Sequence, residues 1–255
     1  MQVRCVTTGR VRAKAGERGV RRYLLDEWRS GTSPVHAYLV DDAGELTLFD
    51  AGQTARAARP GWFPRWHPFF RLSRFELGPP DEVAAQLRAL GIEPAAVTRV
   101  VLSHLHTDHV GGLGAFTHAS VLVSRLEWER GTGLGGRIRG YLPQHWPPGL
   151  EPTLIDFRGP AVGPFRASHD VAGDGRLLLV PAPGHTAGHA ALLARDGERS
   201  WLLAGDLAHT AAELDRVAPE IAAWCRADGV EILLAHDCDA PRRAAGAGRP
   251  GPMLQ

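Results

Sequence analysis

The sequence predicts an α/β protein in which two β-sheets stack face to face and are covered by helices. Short apolar, partly β-branched runs recur along the chain and are separated by stretches with helical spacing. Its 255 residues suit one large layered domain, and no repeat of solenoid length competes with that reading. A chain of this size buries roughly 70–75% of the surface its unfolded form exposes. Its fold therefore needs neither a disulfide nor a structural metal.

Val35 to Val40 and Leu46 to Phe49 read as a hairpin, with Gly44 available for positive φ between them. Asp50-Ala51-Gly52 ends the second strand. Asp81 to Leu90 is a short helix, because Val83, Leu87 and Leu90 fall at helical spacing and Gly91 follows. A brief strand, Arg99 to Leu102, runs into Ser103-His104-Leu105-His106-Thr107-Asp108-His109, so these histidines sit on a loop leaving a strand. Val121 to Ser124 is a further strand, and Leu126 to Arg130 begins a helix that the glycines from Gly131 to Gly140 end. Leu177 to Val180, Ala190 to Ala194 and Ser200 to Leu203 are three strands with His185, His189 and Asp206 near their ends. Leu214, Val217, Ile221 and Trp224 form one helical stripe, and Glu231 to Leu234 is a last strand delivering His236. The domain thus spans 1–239. From Ala240 the Arg, Ala, Gly and Pro composition cannot bury a core, which predicts a disordered tail over 240–255.

Lys plus Arg total 29 against 28 for Asp plus Glu. This balance gives no global field to attract nucleic acid or a membrane surface, so the expected partner is a small molecule. Cys5, Cys225 and Cys238 are odd in number, lack a C-x-x-C pair and read as free thiols in a reducing compartment. Met1 to Arg22 is rich in arginine and has no continuous apolar stretch, which reads as neither signal peptide nor anchor and suggests a cytoplasmic protein.

His104, His106, Asp108 and His109 place three imidazoles and a carboxylate within six residues. Packing alone gives no reason for this density, since such groups repel when charged and are costly to bury unpaired. Zinc accepts both donor types at about 2.0–2.2 Å. Alternate residues of an extended loop point the same way, so His104 and His106 can share one ion while Asp108 and His109 face a second. His185, Asp206 and His236, all at strand ends, are the remaining candidates. Two ions about 3.5–4 Å apart would supply a hydroxide at neutral pH, polarise a carbonyl or phosphoryl oxygen and stabilise the departing one, which makes the chemistry hydrolysis. Asp108 is the candidate general acid/base.

The run His104-Leu105-His106-Thr107-Asp108-His109 resembles the H-x-H-x-D-H signature of the metallo-β-lactamase superfamily. The resemblance extends from Pro34 to about Asp237 and includes Asp50-Ala51-Gly52, Gly184-His185-Thr186-Ala187-Gly188-His189 and Gly205-Asp206. It implies a four-layer αβ/βα sandwich with the site at one edge. It also implies that His104, His106 and His185 bind one metal, that Asp108, His109 and His236 bind the other, and that Asp206 bridges the two zinc ions. His106 departs from the glutamate typical of diiron flavoproteins, and Asp206 departs from true zinc β-lactamases.

Within the superfamily the chain is most similar to the N-acyl-homoserine lactonases, through Pro34 to Val40, Val123 to Trp128 and Ala235-His236-Asp237. That likeness implies attack of a bridging hydroxide on a lactone carbonyl. A member of that group carries a tyrosine three residues after the bridging aspartate to support the oxyanion; here the position is His209, whose imidazole can donate the same bond. Glyoxalase II-like thioester hydrolases share the ligand set but append a helical region, and here nineteen residues follow His236. A phosphodiesterase would want a basic groove, for which Arg56, Arg59, Arg65, Arg71 and Arg74 are candidates. A catalytically silent metal-binding module is the non-enzyme alternative.

Trp62, Phe63, Trp66, Phe69 and Phe70 are five of the fifteen Trp and Phe residues. Interleaved with prolines and without periodicity, they read as an aromatic loop that would line an apolar groove for an acyl chain; sealing the core or making a homodimer contact are its other uses. His189 reads as a non-ligand supporting the site. His36, His67, His118, His145 and His169 read as ordinary core or surface histidines. Asp50 either accepts a hydrogen bond from a ligand imidazole or caps its turn.

Overall fold

The computed structural model describes residues 1–13, 31–65, 67 and 73–246. Among them, twelve strands form two sheets. The first contains β1 (Gln2–Ala13), β2 (Ser33–Asp42), β3 (Glu45–Phe49), β4 (Ser73–Glu76), β5 (Val97–Val101), β6 (Ser120–Ser124) and β7 (Thr153–Ile155), in the order β4-β1-β2-β3-β5-β6-β7. The second contains β8 (His169–Asp170), β9 (Leu177–Pro181), β10 (Ala190–Arg195), β11 (Ser200–Gly205) and β12 (Val230–Leu234), in the order β12-β11-β10-β9-β8. The helices are α1 (Val83–Ala89), α2 (Thr107–Val110), α3 (Arg125–Thr132), α4 (Ala211–Val217), α5 (Pro219–Ala227) and α6 (Ala240–Ala244).

The strand sequences explain the layering. Most read as continuous apolar runs rather than alternating ones, which is the pattern of strands buried on both faces. Tyr38, Val40, Phe49, Val101, Leu179, Leu192, Trp201, Leu203 and Leu233 fill the space between the sheets. Their neighbours on the opposite face of the first sheet, Leu39, Leu48 and Val100, pack with Val83 and Leu87 of α1 and with Leu105 and Phe116. On the outer face of the second sheet, Val180, Leu193, Leu202 and Leu234 pack with Leu214, Ala222 and Cys225 of α4 and α5. The result is the α, β, β, α sandwich that the resemblance implies.

The predicted hairpin is present, with Asp42 opposite Glu45 and both Ala43 and Gly44 at positive φ (55° and 94°). A two-residue turn of this form matches the twist of its flanking strands. The predicted single helix through Leu214 and Trp224 is two helices, because Pro219 has no N–H to continue the ladder; Pro219 opens α5 and Val217 is left exposed. Strand β1 gave no signal in the sequence, since a register shift between Thr7 and Arg10 breaks its alternation and Thr8 and Gly9 occupy buried positions. The tail expected from Ala240 begins instead as α6, whose Ala240 and Ala244 are buried with the inter-sheet core. Two small side chains seat it and Arg243 ties it to Ile232 O (3.0 Å) and the Asp237 carboxylate, which a composition count does not register. Residues 247–255 lie outside the described residues.

The loops after β3, β5, β9, β11 and β12 open at one edge, where the two sheets are stitched together. Ala190 N–H donates to Ser103 O (2.9 Å) and His36 N–H to Ala235 O (2.9 Å). Gly52 belongs to this edge at φ 64°, with the Thr8 side chain where a Cβ would stand. Gly52→Ala is expected to destabilise the protein by about 1–3 kcal/mol through overpacking and positive φ, read as a lower urea midpoint with an unchanged m-value.

Candidate metal centre

The chain leaves β5 as a loop from Leu102 to His106, the N-cap of α2, where the backbone is extended (φ −70°, ψ 157°). His104 and His106 turn to one side of this loop, while Leu105 between them, fully buried, joins the core on the other. The single turn of α2 then brings Asp108 and His109 inward. His185 comes from the loop between β9 and β10, Asp206 from the end of β11 and His236 from the end of β12.

These residues meet as two groups. In the first, His104 Nε2 lies 3.1 Å from His106 Nδ1, which lies 2.9 Å from His185 Nε2. In the second, Asp108, His109 and His236 gather, with Asp108 Oδ2 3.6 Å from His236 Nε2 and Asp108 Oδ1 3.9 Å from His109 Nε2. Asp206 stands between them. Its Oδ1 is 3.3 Å from His109 Nε2 and 3.2 Å from His236 Nε2, while its Oδ2 is 3.5 Å from His185 Nε2.

Four of the five ligand imidazoles are oriented from behind. His106 Nε2 donates to Arg139 O (3.1 Å) and His236 Nδ1 to Pro34 O (2.8 Å). His109 Nδ1 donates to Asp50 Oδ2 (2.8 Å), and His104 Nδ1 meets Ser103 Oγ (2.9 Å), which donates to the same carboxylate oxygen (2.8 Å). Asp50 Oδ1 accepts the Ser103 N–H (2.8 Å). With the outward nitrogen protonated and the inner one free of its proton, each of these four rings turns a lone pair toward the centre, the tautomer a metal requires. His189 spends both nitrogens, Nδ1 on Ala182 O (3.0 Å) and Nε2 accepting the Asp206 N–H (3.2 Å), so it holds the Asp206 backbone and has no donor left. Asp50 therefore takes the first of the two uses foreseen for it.

Burial pushes the pKa of His104 and His185 well below the ordinary value and lowers that of His106. Burial has the same tendency at His109, but Asp206 and Asp50 outweigh it and hold that ring well above the usual range. His236 is raised to about 9, the pull of Asp206 and Asp108 overcoming burial. Asp206 is held well below the carboxylate range, since His236 and His109 outweigh its burial.

Do these residues fit a metal pair? His109 Nε2 and Asp206 Oδ1 are buried without a hydrogen-bond partner despite standing 3.3 Å apart. Buried polar atoms are seldom left so. The groups His104–His106–His185, His104–His109–Asp206 and Asp108–His109–His236 each offer three ligand atoms within 4.8 Å of one another. Nitrogen and carboxylate oxygen donors of this number suit two divalent ions. The cluster fits a dinuclear site.

The structure brings all seven sequence-predicted ligand residues together, and it places His209 at the rim. The His209 side chain is 46% exposed, its ring stacks on His236 (centroids 5.2 Å, 18°), and its Nδ1 lies 3.2 Å from Glu213 Oε2. Trp62 and Phe63 pack elsewhere than on the ligands: Trp62 stacks on His145 (4.0 Å, 23°) beneath Arg56, and Phe63 tilts against Phe75 and His145. Trp66, Phe69, Phe70 and Arg71 lie outside the described residues. Sequence reasoning missed Ser103, the carbonyls of Pro34 and Arg139, Tyr141, whose ring lies 5.3 Å from that of His106, and Glu127. Main-chain acceptors carry no residue-type signal, and a lone Glu beside Leu126 and Trp128 reads as a helix-surface charge.

Comparison with known proteins agrees with this geometry. The model of the metallo-beta-lactamase superfamily matches residues 30–243. The N-acyl homoserine lactonase AttM of Azorhizobium caulinodans is 31% identical over 232 residues, 81% of this chain and 83% of that protein. AttM of Rhizobium radiobacter is 33% identical over 186 residues, 69% of this chain and 66% of that protein, just under two thirds of its length. Among solved structures, a variant of AiiA from B. thuringiensis with N-decanoyl-L-homoserine bound at its active site has a TM-score of 0.70 at 22% identity, covering 99% of each chain. At that identity the likeness speaks for the fold.

The centre generates two predictions. Asp206→Asn is expected to lower metal content at both positions, read by elemental analysis; full occupancy of both would contradict its place between them. In the metal-free protein His236, raised to about 9, and His109, held well above the usual range, keep their protons at neutral pH, and a ligand nitrogen must give its proton up. Loading metal at about pH 7–8 is therefore expected to release protons, measured with an indicator in weak buffer, and affinity is expected to rise with pH toward about 9.

Proposed function

We propose that this chain, which belongs to the metallo-beta-lactamase superfamily, is a dinuclear zinc hydrolase that opens the ring of N-acyl-homoserine lactones or related lactones. The observation that carries the reading is the Asp206 carboxylate with one oxygen toward each group of donors, on a chain similar over four fifths of its length to a lactonase. In this reading His104, His106 and His185 hold one ion, Asp108, His109 and His236 the other, and Asp206 both. When bound, the ions supply Lewis acidity and a nucleophile at neutral pH.

The remaining work falls to the chain. Asp108 stands nearer the mouth than Asp206, its side chain 12% exposed against 6%, so it is the carboxylate able to take a proton on one oxygen and pass it to the leaving alkoxide. His209, at the rim above His236 and steadied by Glu213, donates a hydrogen bond to oxygen on the reacting carbonyl. Tyr141 lies instead beside His106 of the first group, its ring 5.3 Å from that imidazole. The aromatic stretch from Trp62 to Phe70 takes the acyl chain; in its described part Trp62 stacks on His145. The substrate is small and uncharged enough to need no basic groove; Arg56 covers Trp62 rather than an open cleft. No helix among the described residues is long and apolar enough to cross a membrane.

The test is hydrolysis of a panel of acyl-homoserine lactones, a thioester and a phosphodiester by metal-loaded and chelated protein. Lactone opening that chelation abolishes is expected; a protein that opens no lactone of any chain length yet cleaves one of the others overturns the reading. His209→Ala is expected to lower kcat about 100-fold, the usual cost of one oxyanion donor, with metal content unchanged.

A further inference from the structure

Glu127 is a fully buried carboxylate for which packing offers no motive. It lies on α3, and among the described residues no Lys, Arg or His pairs with it. An apolar side chain there would avoid the cost of burying a charge. Its partners explain it. Oε1 accepts the Leu105 N–H at 3.0 Å, and Leu105 is the residue between His104 and His106. Oε2 accepts the Thr186 hydroxyl at 2.7 Å, and Thr186 follows His185. Tyr141 stands beside the His104–His106 loop, its ring 5.3 Å from that of His106. The loop carrying His185 lies directly on α3, since a Cβ at Gly188 would meet the Glu127 backbone.

We propose that Glu127 is a positioning residue for the first metal site, clamping the His104–His106 loop to the His185 loop and so setting the spacing of these three imidazoles. The two loops leave different sheets and are joined at their base by the Ala190 N–H bond to Ser103 O; farther out, between Leu105 and Thr186, the Glu127 carboxylate links them. The second group has no such link to Glu127, because Asp50 and Pro34 hold His109 and His236. The inference rests on reading the cluster as a metal centre and is independent of which bond the enzyme cleaves.

The test titrates Co²⁺ into metal-free protein against a chromophoric chelator that resolves two binding steps. In Glu127→Ala one step is expected to weaken about 10- to 100-fold, the usual cost of losing such a support, while the other stays within about twofold. The same titration in a His236→Ala background, which lacks a donor of the second group, assigns the weakened step. Glu127→Gln is expected to recover most of the loss, since its carbonyl can face Leu105 and its amide can face a Thr186 hydroxyl turned to accept. Thr186→Val, which leaves Glu127 and Leu105 joined, is expected to fall between, and carries the test alone if Glu127→Ala does not fold. Equal weakening of both steps, or two unchanged steps in folded protein, overturns the proposal. Because the readout is metal affinity, its failure is distinct from a failure to open lactones.

Discussion

A buried imidazole can offer a lone pair to the interior only if its other nitrogen is held elsewhere, and the architecture of this edge follows from that constraint. Four rings are tied back by groups from four places in the chain: Ser103, Arg139, Asp50 and Pro34. Two of those acceptors are main-chain carbonyls, so the tautomers depend on where the backbone runs as much as on side chains. The sandwich supplies that precision because its sheets are hydrogen-bonded to each other where the ligands emerge, through Ala190 to Ser103 and His36 to Ala235.

The charges balance on a small scale. Asp206, Asp108 and Asp50 face His109 and His236, which are held proton-rich, while His104, His106 and His185 are pushed toward the neutral form by burial. The centre is therefore asymmetric before anything binds. One half is neutral and imidazole-rich, the other carries the carboxylates, and Asp206 is the element common to both. Rigid packing behind them, with Leu105 and Phe116 fully buried, keeps the asymmetry from relaxing.

How much of this could be read from the chain itself differs by element. Strands such as Leu177–Pro181 and the ligand run after β5 were legible because burial on both faces and dense polar clustering leave compositional traces. Strand β1 was not, since its bulge spoils the period, and α6 was not, since it is seated by two alanines and by the Arg243 bonds to Ile232 and Asp237. The ligands could be recognised by type and spacing. Their supports could not: a carbonyl at Arg139 or a carboxylate at Glu127 acquires meaning only when distant segments meet. His189 shows the converse, an imidazole four residues after a ligand that is committed to the backbone on both sides.

Asp50 combines two demands that are usually met by different residues. Its carboxylate serves Ser103 and His109, and its backbone sits at φ 60°, where a non-glycine residue costs roughly 1–2 kcal/mol. Glycine would relieve the backbone and abolish the acceptor; glutamate would retain the charge but bear the strain with a longer reach. Asparagine tolerates the left-handed conformation yet surrenders one of the oxygens. No single replacement satisfies both requirements, so drift at this position is closed off from two directions, and a relative lacking the aspartate would have had to rebuild the turn and the histidine support together.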